Sequence, residues 1–409
     1  MPIASLPRSV AVIGAGPAGF SAAAELRRRG YQGAIQLLDP AGMPYDRPPL
    51  SKDYLTGEMA FPALAEPGWY ESNAVEVVAG TAVHLDPENG SVTLAGGGEL
   101  RADVLLLATG GVARTLPFSG STLLHTLRSC SDADLLRSRL GPDKQLVIIG
   151  AGLIGAEVAS SAASLGTAVV LIDPVPVPLV PAVGPELAAY LHSLHETAGV
   201  RTLTGLPVDV VRVNGALSVL MEDGSALPAD TVLAAVGMVP DTELAAAAGL
   251  AVDDGVLVDA AGRTSHPRVF AAGDAVRRSS NGELQRRTEH WDAAVRSGQA
   301  AAAGILGEEP PEDAVPWFWT DRYGMHAEAV GNMSASGTTV ERGSPGHGYM
   351  VFRQAADGTL AGAAGINAGN SMRAARRLIA LGKPVDAADL ANADADLRRL
   401  LRARPSKTD

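Results

Sequence analysis

Two stretches of the chain carry the same alternation of apolar and polar positions. The first reads Ser9-Val-Ala-Val-Ile-Gly-Ala-Gly-Pro-Ala-Gly19, continues as an alanine-rich segment to about Arg29, and resumes as Ala34 to Leu38 before Asp39. A short apolar run closed by glycine, a helical stretch and a second apolar run together predict strand, tight turn, helix and strand. The second reads Gln145-Leu-Val-Ile-Ile-Gly-Ala-Gly-Leu-Ile-Gly155, a helix to about Leu165, and a strand Ala168 to Ile172 before Asp173. Repeated βαβ units predict an α/β chain with parallel sheets. Further strands are expected at Ser91 to Leu94, at Val104 to Leu107 leading into Ala108-Thr109-Gly110, at Leu217 to Met221, at Thr231 to Val236 before Gly237, and at Val269 to Ala272 before Gly273-Asp274. A helix fits Ala293 to Leu306, and the Glu- and Pro-rich stretch Gly307 to Val315 reads as a linker. The texture then changes at Pro316-Trp317-Phe318-Trp319, which marks a further domain.

Hydropathy alone would misread two of these segments. Arg8 followed by the small apolar run Val10 to Ala24 imitates an export signal, and Gln145 to Ile172, with Glu157 as its only charge, imitates a membrane span. Both contain Gly-x-Gly-x-x-Gly, which turns each into a strand and helix buried against neighbouring protein. The length of 409 residues predicts several domains. Aromatic residues are only 4% of a chain that is 46% apolar, so the interior is expected to consist of close-packed backbone and small side chains. A net charge of −12 makes non-specific nucleic-acid binding unfavourable. The one cysteine, Cys130, permits no intramolecular disulfide, dithiol relay or cysteine cluster, which points to a reduced, cytoplasmic protein. His192 and His195 share a helix face without further ligand-type neighbours and read as surface or packing residues, so no metal site is expected.

The chemistry lies in the glycine turns. A dinucleotide pyrophosphate is doubly charged, and backbone N–H groups at a helix N-terminus reach it only where no Cβ intervenes. Gly14 would form the tight turn, Gly16 would admit the phosphates, and Gly19 would let the helix pack on its strand, with Pro17 and Ala18 opening that helix. Gly150, Gly152 and Gly155 repeat the pattern around Leu153 and Ile154. Each unit then supplies a carboxylate at the spacing a ribose requires, Asp39 in the first and Asp173 in the second. Asp173 would repel a 2′-phosphate, and Pro174 to Pro185 contains no Arg or Lys, so NADH is favoured over NADPH at the second site.

Several phrases resemble the FAD-dependent, NADH-using ferredoxin reductases of bacterial oxygenase systems, which have the pyridine nucleotide-disulfide oxidoreductase fold. They are Pro44-Tyr-Asp-Arg-Pro-Pro-Leu-Ser-Lys52, Arg263-Thr-Ser-His-Pro-Arg-Val-Phe-Ala-Ala-Gly-Asp274 and Pro316-Trp-Phe-Trp-Thr-Asp321. The resemblance extends over nearly the whole chain. It implies two Rossmann-like dinucleotide-binding domains and a smaller α+β C-terminal domain. The FAD domain would comprise residues 1–115 and 244–314, the inserted NAD domain 116–243, and the C-terminal domain 315–409. FAD, held non-covalently, is assigned to the first turn and NADH to the second. Arg47, Ala108, Thr109, Gly110, Gly237, Gly273, Asp274, Glu289, His290 and Trp291 map onto positions near the cofactors. Lys52 is implied to lie beside flavin N5 and to pair with Glu157, and Trp319 to lie near flavin and nicotinamide. A cation there would stabilise the charge that reduction brings, and the carboxylate would ease its burial.

The implied activity is hydride transfer from NADH to FAD, followed by single-electron delivery to a small iron–sulfur ferredoxin that feeds a cytochrome P450 or a Rieske oxygenase. Two other readings stay open. One is an NADH dehydrogenase or oxidase using quinone or oxygen; the other is a redox-sensing flavoprotein. The polar tail from Asp386 to Asp409 argues against a membrane-directed enzyme. An acidic ferredoxin would need a basic surface. Arg373, Arg376, Arg377, Lys383, Arg398, Arg399, Arg402, Arg404 and Lys407 form one candidate, and Arg286 with Arg287 a second. The chain departs from the family pattern at Gly365-Ile-Asn-Ala-Gly-Asn-Ser-Met-Arg373, and at Thr320, where serine is usual.

Overall fold

The computed structural model describes residues 6–280 and 282–402. The chain divides into two compact units. The first joins Met1–Pro49, Met59–Ala113 and Met238–Asp313; the second joins Leu50–Glu58, Arg114–Gly237 and Ala314–Asp409. The nine residues Leu50–Glu58 thus group away from the segment that precedes them.

The first unit is built on a parallel sheet in the order Val269–Ala271, Val104–Leu107, Ser9–Ile13, Ala34–Asp39, Val75–Ala79. Strands buried on both faces need uninterrupted apolar runs, and Val104 to Leu107 has every side chain buried. Helices Pro17–Arg28 and Trp291–Ile305 pack against each other so closely that a Cβ at Gly298 would overlap the Ala18 carbonyl. Small residues, not aromatic ones, make this contact, as the composition implied. The second helix begins at Trp291, two residues before its expected start, because His290 is extended and Asp292 occupies the first turn.

The second unit contains a four-stranded parallel sheet in the order Arg201–Thr204, Ala168–Asp173, Gln145–Ile149, Thr231–Ala234. Its last strand ends two residues short of the expected Val236. The Ala235 N–H is bonded to the Ile149 carbonyl, and the Ala235 carbonyl closes over Gly150. The same unit holds an antiparallel five-stranded sheet in the order Trp317–Arg322, Met325–Gly331, Leu360–Ile366, His347–Gln354, Thr338–Ser344. Met372, Ala375 and Leu378 of helix Gly369–Leu381 form one core cluster with Phe352 and Ala363 of this sheet. Leu187 and Leu191 of helix Pro185–Thr197 form another with Val351 and Ile366. No helix among the described residues is long and apolar enough to cross a membrane; Gln145 to Ile172 divides into strand, turn and helix.

Candidate functional site

The two glycine turns have matching backbone construction. Gly14 N donates to Leu38 O at 2.9 Å and Gly150 N to Ile172 O at 2.8 Å, so each turn is tied to the strand that ends in the carboxylate. Gly14 and Gly150 have φ of +105° and +101°, which favours glycine. A Cβ at Gly14 would overlap the Ala108 carbonyl, and one at Gly19 or Gly155 would overlap the carbonyl of its own tight-turn glycine. The helices start at Pro17 and Leu153 with Gly16 and Gly152 as N-caps, and no side chain caps either one. Their first N–H groups therefore lack intrahelical acceptors, the construction that binds phosphate.

In the first unit, the Arg47 guanidinium lies against Gly16, where a Cβ would collide with Nη1. Asp39 is buried, accepts from Ala41 N at 2.9 Å, and is pushed above the usual carboxylate range by burial. Asp46 accepts from Trp291 Nε1 at 2.9 Å. Gly273 packs against Ala18, so the Gly273-Asp274 turn sits against the helix of the first glycine turn. Ser297 holds the Gly273 N–H at 2.8 Å. His290 is held below its ordinary pKa by burial and feels the charge of Asp274. Ala108 lies over Gly14, and Thr109 Oγ1 donates to Asp241 O at 2.7 Å. Glu289 is exposed and ion-paired with Arg287 at 2.8 Å.

In the second unit, Asp173 accepts from Ala151 N at 2.8 Å through Oδ2 and from Val175 N at 2.9 Å through Oδ1. A Cβ at Gly152 would meet nothing within 4 Å, so this cradle is open, and Ile154 beside it is exposed. Gly237 is exposed with φ of +95°.

A second cluster forms around Glu157, which is buried on the helix of that turn. Lys52 Nζ lies 3.1 Å from its Oε2, and Ser51 Oγ donates to the same oxygen at 2.5 Å. Thr320 Oγ1 donates to Oε1 at 2.7 Å. Ser161 Oγ, one helical turn beyond Glu157, donates to Ser51 O at 2.7 Å and holds the Lys52 segment in place. Trp319 presents its ring to Lys52 at 6.0 Å and stacks on Trp317 at 5.0 Å between centroids. Strand alternation puts Trp317 and Trp319 on one face of Trp317–Arg322, and buried Thr320 and Arg322 on the other.

Lys52, Glu157 and Trp319 are therefore together, although 105 and 162 positions separate them in sequence. Asp46, Ser51 and Arg322 were not singled out from sequence. For Arg322 the available signal was a charged residue in phase with Thr320 on a strand.

His195 has no exposed surface; its Nδ1 bonds Tyr323 Oη at 2.7 Å inside the helix–sheet contact, so of the surface and packing readings it takes the packing one. Within the two basic clusters several members already have partners. Arg287 is bound to Asp254 and Glu289, Arg376 donates to Val315 O at 2.7 Å and lies over Trp317, and Arg398 pairs with Asp396. Arg286, Arg373, Arg377, Lys383, Arg399 and Arg402 stay exposed, while Arg404, Lys407 and Asp409 lie outside the described residues. Cys130 begins helix Cys130–Arg137 behind a Ser129 capping box. Among the described residues no group of His, Cys, Asp and Glu side chains could hold a metal.

The chain thus presents two uncapped glycine turns, each tied to a strand-end carboxylate, and a lysine–glutamate pair whose glutamate is buried, the construction of a nucleotide-binding fold. Residues 8–298 match the family described as pyridine nucleotide-disulphide oxidoreductase, and residues 317–401 match the reductase C-terminal family. The biphenyl dioxygenase system ferredoxin–NAD(+) reductase component of Paraburkholderia xenovorans strain LB400 is 38% identical over 405 residues, 97% of this chain and 99% of the relative. The solved covalent putidaredoxin reductase–putidaredoxin complex superposes with a TM-score of 0.90 at 31% identity, covering 98% of this chain and 100% of that chain. The ferredoxin reductase of the CYP199A2 system from Rhodopseudomonas palustris gives 0.90 at 32%, over 96% and 99%. The chain belongs to the pyridine nucleotide-disulphide oxidoreductase family, in the branch of the ferredoxin–NAD(+) reductases, and is a flavin- and NAD(H)-using oxidoreductase.

Proposed function

We propose that this chain is an FAD-dependent NADH:ferredoxin oxidoreductase that supplies electrons to a P450 or Rieske oxygenase. The observation that carries the reading is the pair of uncapped glycine turns, each with its carboxylate, in a chain aligned end to end with ferredoxin reductases. FAD, when bound, supplies the two-electron to one-electron conversion that joins a hydride donor to an iron–sulfur acceptor. Gly14, Gly16, Pro17, Ala18 and Gly19 would hold its pyrophosphate, with Arg47 adding a cation. Asp39 would accept from its ribose hydroxyls. Ala108, Thr109, Gly110, Gly273, Asp274, Glu289, His290 and Trp291 would complete the site.

Gly150, Gly152, Leu153, Ile154, Gly155 and Gly237 would hold NADH. Both Asp173 oxygens are fixed by backbone amides, so the carboxylate cannot swing aside for a 2′-phosphate, which supports NADH over NADPH. Lys52 would place a cation at the flavin ring, with Glu157 holding its ammonium and Trp319 packing against it. One cysteine excludes a dithiol relay within the chain, so electrons would leave from the flavin itself. Exposed Arg373, Arg377, Lys383, Arg399 and Arg402, with Arg286, would be the charge available to attract an acidic ferredoxin.

Anaerobic stopped-flow mixing with NADH, followed by a [2Fe–2S] ferredoxin, tests the assignment. The expected result is fast bleaching of the yellow colour and ferredoxin-dependent recovery. Bleaching with indifference to ferredoxin would leave oxygen, quinone or a sensing role. Equal rates with NADPH, or an unchanged preference in Asp173→Ala, would overturn the role of Asp173.

A further inference from the structure

The environment of Glu157 contains more positive charge than a simple ion pair requires. Its oxygens accept from Ser51 and Thr320 and pair with Lys52. Two residues beyond Thr320, on the same strand face, stands Arg322, which is only 4% exposed. Its Nε and Nη2 find no hydrogen-bond acceptor among the described residues. The guanidinium attracts Glu157 without taking up any of its hydrogen bonds. Burial lowers its pKa to about 10, so it stays charged at neutral pH.

The other titratable neighbours do not alter this balance. His192 and His195, on the helix packed alongside, are held below their ordinary pKa by burial and by Arg322 itself, the second to about 3, so His195 adds no charge. Tyr323 is pushed upward by burial and remains a phenol. Asp321, on the opposite strand face, is paired with His326. One carboxylate therefore faces two cations. A lysine–glutamate pair alone is neutral and exerts a weak field at a third site; a second cation leaves one net positive charge.

We propose that Arg322 is a positioning residue that acts as the standing counter-ion of Glu157, so that the charge of Lys52 remains available to its other neighbour. This rests on the reading that Lys52 lies at the flavin. On giving up a hydride NADH becomes NAD⁺, and the hydride would carry two electrons and one negative charge to the bound flavin. Lys52 answers that charge only if Glu157 does not need it. Burying an arginine with unspent donors is costly, and a purely packing role would be served better by an apolar side chain.

The test is the midpoint potential of the bound flavin, measured by dye equilibration on flavin-loaded Lys52→Met, Arg322→Met, Arg322→Gln and Arg322→Lys proteins. Lys52→Met is expected to shift the potential negative. Both neutral Arg322 variants are expected to shift it the same way by less, and Arg322→Lys to restore it. Lys52→Met combined with Arg322→Met is expected to shift it further negative than Lys52→Met alone, because Glu157 is then left without a counter-ion. The Gln variant keeps polar donors in the site and serves if the Met variant does not fold. A shift in Lys52→Met with none in either neutral Arg322 variant would overturn the proposal and leave the Lys52 reading standing. An Arg322→Lys protein with the potential of the neutral variants would also overturn it. No shift in Lys52→Met would instead remove the reading on which the proposal rests.

Discussion

Trp291 Nε1 donates to Asp46 Oδ1 at 2.9 Å across 245 residues of sequence. The bond ties the loop before Lys52 to the start of the helix that packs on Pro17–Arg28, both within the first unit. A hydrogen bond to a charged acceptor contributes about 1.5–3 kcal/mol. Trp291→Phe is expected to lower the thermal midpoint and release flavin at lower temperature, with Asp46→Asn milder because it keeps an acceptor. Flavin fluorescence during a thermal ramp reads both.

The two glycine turns differ in how much room they leave, and the same substitution separates them. A Cβ at Gly16 collides with Arg47, whereas one at Gly152 meets nothing within 4 Å. Gly16→Ala is expected to purify largely colourless. Gly152→Ala should fold normally and keep its colour, because its methyl group intrudes only where a bound pyrophosphate would lie. The expected loss is about tenfold in NADH affinity, equivalent to about 1.4 kcal/mol, measured by titration.

His195 gives stability a pH dependence. Burial lowers it from its usual 6.5 to about 3, so between these values the unfolded chain takes up a proton that the folded one does not. Its contribution is full above pH 6.5 and is lost as pH falls towards 3. His195→Gln is expected to lose less thermal stability than the parent between pH 7 and pH 5. Parallel pH profiles for the two proteins would refute the assignment.

Arg342 secures the end of the chain. Its guanidinium donates to the carbonyls of Leu390 at 3.3 Å and Ala393 at 3.2 Å, and also to those of Asn392 and Ala395. A lysine ammonium cannot span four carbonyls in fixed directions. Arg342→Lys should therefore speed proteolytic cleavage near residues 390–395 while leaving the flavin spectrum unchanged. Limited proteolysis followed by mass mapping reads the difference.

How much was visible beforehand follows from how local each feature is. Gly14 and Gly150 need positive φ, and Gly19 and Gly155 need close approach to a turn only five residues away, so spacing within one short segment discloses both cradles. Asp39 and Asp173 end the strands that those turns bond to, and the distance from glycine to acid is set by one helix and one strand. The Lys52–Glu157 pair came from a family phrase, since nothing near Lys52 in sequence marks it as other than a surface lysine.

Amino-acid order alone determined the two glycine turns, their acids and the apolar strands, because these depend on backbone geometry over about thirty residues. Only the tertiary structure decided that Ser51, Lys52, Glu157, Thr320 and Arg322 share one buried environment. They lie on three separate stretches of chain, brought together when the Leu50–Glu58 segment and the Trp317–Arg322 strand pack against the helix Leu153–Ser164. A buried charge takes its character from the groups that replace water around it, and those groups are selected by packing.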